Sequence, residues 1–149
     1  VVAGSGRVLT LEDVLASRFP TQTPRLYTEV RISDVFAACS SALLRVARLP
    51  SDQAIVNVAV ALQMNGDVCV RAAAAAGGIA EHPQRLSITE AMLAGHRVDD
   101  AHLAHVVEAA MEQAHPPSDS MGSAEYRRSM LGVLLRRAVL QCVEREARR

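Results

Sequence analysis

The sequence lacks tryptophan and lysine, and it holds only two tyrosines and two phenylalanines. Half of its 149 residues are nevertheless hydrophobic, so the core has to form from Ala, Val, Leu, Ile and Met through many small contacts. At this length we expect one compact domain overall. Within it, residues 1–33 are predicted to form a leading helix and strand, and residues 34–149 the main body.

An excess of charge of either sign is also absent, since 16 basic residues balance 16 acidic ones. This balance excludes the broad positive field that is typical of nucleic-acid-binding proteins. No apolar run reaches the roughly 18–20 residues that span a bilayer, and the first ten residues lack the pattern of a signal peptide. We therefore expect a soluble protein with neither nucleic acid nor membrane as a partner.

Cysteine is scarce, and the three that are present, Cys39, Cys69 and Cys142, are odd in number and have no CxxC spacing. The pattern indicates neither a disulfide framework nor a zinc site. A reducing cytoplasm is the expected location.

Histidine spacing raises one metal-site hypothesis, because His102 and His105 lie three residues apart on a predicted helix with Glu108 nearby. These positions fall outside the apolar stripe of that helix, which indicates a solvated face. The sequence therefore predicts no metal site.

The first third of the chain predicts a helix, a strand and an ambiguous apolar run. Thr10 precedes two acidic residues and can cap a helix that runs to about Phe19. Arg25–Ser33 alternates between apolar and polar residues, as in a strand with one wetter face. Phe36–Ala47 is apolar and compatible with either a strand or a helix, and Leu49–Asp52 marks a boundary.

A β-hairpin is the clearest local prediction. The apolar segments Ala54–Leu62 and Val68–Ala76 flank Asn65-Gly66, a pair that readily adopts the positive backbone angles of a tight turn. Gly77-Gly78 is expected to end the second strand.

Three helices are predicted after the hairpin. Ser87 and Glu90 have the spacing of a capping box, and Gly95 suits the position that ends a short helix. Asp99 or Asp100 can cap a second helix, which must end before Pro116-Pro117. Ser123, followed by Glu125, opens a long helix to about Glu146, whose wide apolar stripe indicates burial on two sides. The expected fold class is α+β, with a small antiparallel sheet packed against a three-helix layer.

Several spaced motifs, taken together, resemble one family. They are a strand of AIVxVAV type, a Gly-Gly-Val-Ala-x-x-Pro-x-Arg segment, a Glu-x-x-Leu-x-Gly helix and a late Tyr-Arg-Arg helix, represented here by Ala54–Val60, Gly77–Arg85, Glu90–Gly95 and Tyr126–Arg128. In this order the chain resembles the C-terminal domain of the FAD-binding (medium) subunit of molybdenum hydroxylases, the carbon monoxide dehydrogenase and xanthine dehydrogenase group. Leu9–Ile32 is similar to the helix and strand by which the family leaves its flavin domain.

The resemblance implies a component of an oxidoreductase that helps to relay electrons from iron-sulfur clusters through FAD to an acceptor. In the family, FAD lies mostly on two upstream portions, and Gly4-Ser5-Gly6 is too weak a match for their phosphate-binding loops. The chain alone is therefore expected to bind no cofactor, and FAD only through a partner. The implied partners are flavin-binding, molybdenum and iron-sulfur subunits.

The sequence departs from the family just before the AIV strand, where the family tends to carry an apolar-Lys-x-x-x-Arg-Arg segment with its Lys facing the flavin. An ungapped count places this segment at Leu43, Leu44, Arg48 and Leu49, so the Lys and one Arg are replaced by leucine. This loss supports an alternative: a stand-alone, cofactor-independent cyclase or isomerase, or a binding protein, that holds an apolar small molecule of secondary metabolism in a pocket. A homo-oligomer is possible in either case.

Eight residues are candidates for such a pocket, although each also has a structural explanation. The leucines would line it, and the glycines would let a ligand approach the backbone. The Glu would act as a general acid or base near the His. The Tyr, together with Arg127 and Arg128, would hydrogen-bond a ligand oxygen or pair with an anion. The structural explanations are a bend at the sheet edge for the glycines, a capping box for the Glu, a turn for the His and helix packing for the Tyr. The candidates are Leu43, Leu44, Leu49, Gly77, Gly78, His82, Glu90 and Tyr126. No catalytic residue is assigned, because the sequence contains no nucleophile elbow, Walker loop or triad signature.

Overall fold

The computed structural model describes residues 1–3, 6–16 and 26–148. Two compact units are present, Val1–Ala37 and Ala38–Arg149. Gly4-Ser5, for which a weak resemblance to a phosphate loop was considered, lies outside the described residues.

The first unit contains strand β1 (Val2–Ala3), helix α1 (Leu11–Ala16), strand β2 (Tyr27–Glu29) and a 3-10 turn. The predicted cap at Thr10 is confirmed, because its Oγ1 accepts from the Asp13 amide at 3.0 Å and donates to the Asp13 carboxylate at 2.7 Å. Residues 17–19, at the predicted end of this helix, lie outside the described residues.

The strand predicted for Arg25–Ser33 is shorter than expected, since only β2 pairs, antiparallel to the two-residue β1. The expectation of one dry and one wet face is wrong. The side chains of residues 26–33 are all exposed, and Ile32 is 85% exposed. A two-stranded ribbon buries neither face unless another layer covers it, and the described residues of this unit supply no such layer.

The second unit is built on a four-stranded antiparallel sheet in the order β3-β4-β5-β6, with β3 at Ser40–Val46, β4 at Val56–Asn65, β5 at Val68–Gly77 and β6 at Gln84–Arg85. The ambiguous run before residue 48 therefore forms a strand. β6 was not predicted, because two residues carry no periodic pattern.

The β4–β5 hairpin is confirmed, and its turn is tighter than predicted. Asn65 pairs with Val68 as the last residue of β4, so Gly66 and Asp67 alone form the turn. Gly66 has a φ of 57°, a left-handed conformation that glycine adopts without a steric penalty.

The helices are α2 (Ser87–Leu93), α3 (Asp100–Gln113) and α4 (Ala124–Ala147). The caps predicted for the last two are confirmed: Asp99 accepts from the His102 amide at 2.8 Å, and Ser123 accepts from the Tyr126 amide at 3.1 Å. Gly95 follows α2 with a φ of 80°, as expected for a residue that ends a helix.

The predicted capping box at Ser87 and Glu90 is wrong. The amide of Leu86 still donates to the Ala74 carbonyl of β5 at 2.8 Å, and the helix begins at the next residue. Leu86 therefore occupies the N-cap position, where no side chain caps the helix. Ser87 is already helical, and the Glu90 carboxylate points to the sheet edge.

One face of the sheet carries the core. α4 lies against β3 and β4, α2 lies against β5, and α3 packs on α2 and α4. Alternate strand residues such as Val58, Val60 and Leu62 are buried beneath the helices, as a sheet with one covered face requires. α4 is buried on two sides as predicted, and the α+β prediction is confirmed.

Candidate functional site

Within the second unit, the described helices pack on one face of the sheet, and the other face carries exposed side chains. Register places Leu43, Ala59 and Ala75 side by side on this face, and Ala61 beside Ala73 in the next row. Leu43 is 70% exposed, and Ala59 and Ala75 are exposed as well. We call these five residues the open sheet face; it is flat, apolar and made largely of small side chains.

Arginines stand at both ends of the open sheet face. Arg45 of β3 shares a row with Asn57, and Arg71 of β5 shares a row with Gln63. Arg45 donates to the carbonyls of Pro50 and Asp52 in the β3–β4 turn, which fixes its side chain. The apolar rows therefore lie between two cations.

Gly77 and Gly78 end β5 where side chains have no room. The Gly77 amide donates to Asn57 Oδ1 at 3.1 Å, and a Cβ at Gly77 would lie 2.8 Å from the same oxygen. Gly78 has a φ of 80°, and a Cβ there would lie 2.1 Å from the Ile55 carbonyl oxygen. The positive φ and the close approach of the Ile55 carbonyl each require glycine at position 78.

A buried cation holds this end of the sheet together. Arg127, at the start of α4, is only 4% exposed. Its guanidinium donates to the carbonyls of Ile55, Gly78 and Gly122 and, through two bonds of 2.7 and 2.8 Å, to the Asp119 carboxylate. These five residues form the Arg127 cluster, in which one charge satisfies backbone oxygens from three separate segments.

The contacts of the Arg127 cluster also change the pKa of Asp119. Hydrogen bonds from Arg127 lower the pKa of Asp119 below its ordinary value, and the amides of Met121 and Gly122 act in the same direction. These contacts therefore favour the ionised form of Asp119.

The three candidate leucines do not form one surface. Leu43 lies on the open sheet face, whereas Leu44 points to the opposite face and packs against the core. Leu49 lies in the β3–β4 turn and is 60% exposed. The position that an ungapped count equates with the family's Lys therefore faces the core, and the next residue, Arg45, puts a cation on the open side.

The polar candidates are spread over several elements. Glu90 accepts from the Ala74 amide at 2.9 Å and from Arg85 Nε at 2.8 Å, so its carboxylate holds β6 and α2 to the edge of β5. His82 is half-buried in the loop before β6. Tyr126 lies beside Gly122, where a Cβ would be 3.3 Å from the tyrosine ring. Gly77, Gly78 and Tyr126 therefore lie at the same end of the sheet as the Arg127 cluster.

Asp119 is the residue that sequence reasoning missed, and Arg127, weighed there between pairing with an anion and helix packing, is its buried partner. The Tyr-Arg-Arg triplet was a visible signal, interpreted as helix packing, but nothing in the sequence indicates which arginine is buried or that Asp119 is its partner.

His102 differs from the solvated position expected for it. Its Nε2 lies 2.7 Å from the Met92 carbonyl oxygen, and its ring stacks on His96 with 5.2 Å between the ring centres. The end of α2 covers it. His105 and Glu108 are exposed, and among the described residues no three His, Cys, Asp or Glu side chains are placed to hold a metal ion.

All three cysteines are buried free thiols. Burial raises the pKa of Cys142 to about 11 and also raises the pKa of Cys69. Thiols of this kind react slowly at neutral pH, because the thiolate is the nucleophile.

A second surface feature is an open groove of about 660 Å³ between α3 and α4. It contains none of the eight candidate residues. Its lining combines an apolar floor with two glutamates and one arginine: Ala104, Val107, Glu108, Met111, Glu112 and Arg128.

No helix in the part of the chain that the structure describes is both long and apolar enough to cross a membrane.

Comparison with known proteins places these features in a family. The family model described as the CO dehydrogenase flavoprotein C-terminal domain matches residues 41–142, which include nearly the whole sheet, α2, α3 and most of α4.

Two curated relatives are similar over most of the chain. The glyceraldehyde dehydrogenase medium chain of Sulfolobus acidocaldarius is 28% identical over 91% of this chain and 49% of its own length. The carbon monoxide dehydrogenase medium chain of Afipia carboxidovorans is 35% identical over 76% of this chain and 40% of its own length. The chain thus spans at most about half the length of these relatives.

A solved structure, reconstituted CO dehydrogenase from Oligotropha carboxidovorans, has the same fold. It superposes on 70% of this chain and 37% of its own with a TM-score of 0.67 and 34% sequence identity. With the family match, this similarity confirms the resemblance found in the sequence: the chain belongs to the CO dehydrogenase flavoprotein C-terminal domain family, the C-terminal domain of the flavoprotein subunit of molybdenum hydroxylases.

Proposed function

We propose that this chain serves as the C-terminal part of the redox subunit of a molybdenum hydroxylase, and that it closes the flavin-binding portion without holding FAD by itself. The family match over residues 41–142 carries the proposal. In the complete subunit FAD would supply the electron transfer between iron-sulfur clusters and an acceptor. The relatives are named for different substrates, glyceraldehyde and carbon monoxide, so the substrate is not assigned.

Among the described residues, the Gly77-Gly78 turn does not fit the phosphate groups of FAD. A pyrophosphate is commonly held by free backbone amides of a glycine-rich turn. At Gly77-Gly78 the first amide donates to Asn57 and the second carbonyl accepts from Arg127, so the turn is committed to the fold. We infer that the phosphate groups are held by another portion or chain.

The open sheet face is the surface that we assign to contact with the flavin-binding portion. It is flat and apolar, and Arg45 and Arg71 stand at its two ends. A sheet that leaves such a face exposed is typical of an interface. The first unit gives independent support, because its side chains at Leu26, Val30 and Ile32 are exposed and apolar, as expected of a surface that further polypeptide covers.

The proposal is tested by purifying the tagged chain from its native cells and measuring the flavin, molybdenum and iron that accompany it. We expect all three to co-purify with flavin-binding, molybdenum and iron-sulfur polypeptides. Recovery of neither a flavin-binding chain nor a molybdenum subunit would overturn the proposal.

A substitution on the open sheet face makes the test specific. Ala59→Arg places a large cation between Leu43 and Ala75, in the middle of this face, and we expect flavin and partner chains to be lost. Ala91→Arg is the matched control, because Ala91 is an exposed alanine on α2 and lies outside the open sheet face. Equal recovery with both variants would contradict the assignment of this face.

The cyclase or isomerase alternative gains no support. None of the relatives described above carries such a name, and the leucines that motivated the alternative point in different directions.

A further inference from the structure

The groove between α3 and α4 has a continuous apolar floor. Val107 and Met111 of α3 lie over Gly132 of α4, where a Cβ would be 2.5 Å from Met111 Sδ and 3.2 Å from Val107 Cγ1. The missing side chain lets the two helices approach closely. The floor is therefore apolar from one helix to the other.

The rim of the groove carries negative charge that the chain does not neutralise. Glu108 and Glu112 are exposed, one helical turn apart on α3. Neither forms an ion pair or hydrogen bond with any residue that the structure describes. Arg128 on the opposite wall donates to the Ala114 carbonyl at 3.2 Å, which holds it to the end of α3.

We propose that this groove docks a basic segment of a partner subunit, which places one apolar side chain on Met111 and two Arg or Lys side chains opposite Glu108 and Glu112. The partner is a subunit of the complex, so the inference rests on the proposed function. Residues four apart on a helix are separated by about 6 Å along its axis, which fixes the spacing of the two cations. Cations at i and i+4 of a docked helix match this spacing.

The shape of the groove favours a polypeptide over a small molecule. From Ala104 to Glu112 it extends about 12 Å along α3, and it is open to solvent along its length. A small-molecule site encloses most of its ligand, whereas a helix laid in a groove needs only an apolar floor and a complementary rim.

Charge reversal tests the electrostatic part of the proposal. The complex of the wild-type chain with its partner subunits is the reference. Relative to it, we expect Glu108→Lys combined with Glu112→Lys to weaken subunit association at least about tenfold at low salt. The matched control, Glu81→Lys with Glu144→Lys, reverses two exposed glutamates outside the groove and should leave association unchanged. Association is measured by sedimentation at several salt concentrations, since screening should reduce the difference between wild type and variant.

A bulky residue tests the apolar part without changing charge. Ala104→Trp fills the groove from its α3 wall and should weaken association, whereas Ala91→Trp, at an exposed alanine of α2 outside the groove, should not. Far-ultraviolet circular dichroism confirms that each variant is folded.

The outcomes separate this inference from the proposed function. If the wild type recovers no partner subunit, the proposed function fails and the groove inference fails with it. If the wild type assembles and the groove variants assemble equally well, only the groove inference is overturned. Self-association of the isolated chain that disappears with Glu108→Lys and Glu112→Lys would also overturn it, because the occupant would then be a second copy.

Discussion

At the scale of single residues, one guanidinium joins three segments that are far apart in the sequence. Arg127 reaches Ile55 before β4, Gly78 after β5, and the loop at Asp119 and Gly122. Its contribution is chiefly to satisfy backbone oxygens, since a carbonyl buried without a donor is destabilising by about 1–3 kcal/mol.

Replacement of Arg127 by Met should therefore lower the free energy of unfolding by about 1–3 kcal/mol, the range for a buried carbonyl left without a donor, because Asp119 is 45% exposed and stays hydrated. Arg137→Met is the control on the same helix, because Arg137 is exposed and unpaired among the described residues; a change within about 0.5 kcal/mol is expected. Urea unfolding followed by circular dichroism measures both. Equal stability of the two variants would contradict the role of the Arg127 cluster.

The pH dependence of stability follows from Asp119. Its folded pKa is lowered by Arg127, so its stabilising contribution is present above the unfolded value near 3.9 and is lost as the pH falls through the lower folded value. Asp119→Asn should therefore be less stable than wild type at neutral pH, and the two should converge below about pH 4. In the Arg127→Met background the same substitution should have a smaller pH-dependent effect, because the amides of Met121 and Gly122 still lower the pKa of Asp119. A constant difference across the acid range would contradict the assignment.

Gly66 and Gly78 both have a positive φ, but replacement by alanine should lower the stability of the fold by different amounts at the two positions. Gly66→Ala meets no atom within 4 Å and should lose about 1–2 kcal/mol of stability through its positive φ alone. Gly78→Ala adds a collision with the Ile55 carbonyl and should lose clearly more. Thermal unfolding of both variants gives the comparison, and equal losses would show that the close approach at Gly78 is relaxed without penalty.

At the scale of elements, the structure and the sequence pattern differ on how α2 begins, and each predicts a different effect of substituting Ser87. A capping box at Ser87 would make Ser87→Ala destabilising by about 1 kcal/mol. The structure instead predicts a change within about 0.5 kcal/mol, because Ser87 is exposed and caps nothing.

Glu90→Ala should behave in the opposite way, with a loss of about 1–3 kcal/mol, because the Ala74 amide loses its acceptor. Chemical unfolding measures both variants, and Ser87→Ala decides between the two interpretations. A loss of about 1 kcal/mol with Ser87→Ala would restore the capping box, whereas Glu90→Ala is destabilising under either interpretation because a capping box also uses the Glu carboxylate.

Local signals predicted the elements well where the deciding contacts are local. The caps at Asp99 and Ser123, the end of α2 at Gly95 and the β4–β5 hairpin all depend on residues a few positions apart. The prediction failed at Ser87 because strand pairing of Leu86 with Ala74 sets the start of α2, and that contact joins distant residues. The sequence could not show that Leu43 and Leu44 face opposite ways until Phe36–Ala47 was known to be a strand.

At the scale of the whole molecule, the chain consists of two units and spans at most about half of its curated relatives. The fold and the family could be predicted from the order of motifs. The site could be predicted only in part, because the Arg127 cluster and the α3–α4 groove arise from side chains that meet after folding.

Flavin binding by the chain alone tests the central claim most directly. The purified chain is titrated with FAD, and flavin fluorescence and bound flavin per chain are measured; the titration is then repeated on the complex from native cells after removal and return of flavin. We predict that the chain alone stays colourless and leaves flavin fluorescence unchanged, and that the complex takes up FAD. Isolated chain that arrives yellow with tightly bound, stoichiometric flavin would contradict the claim.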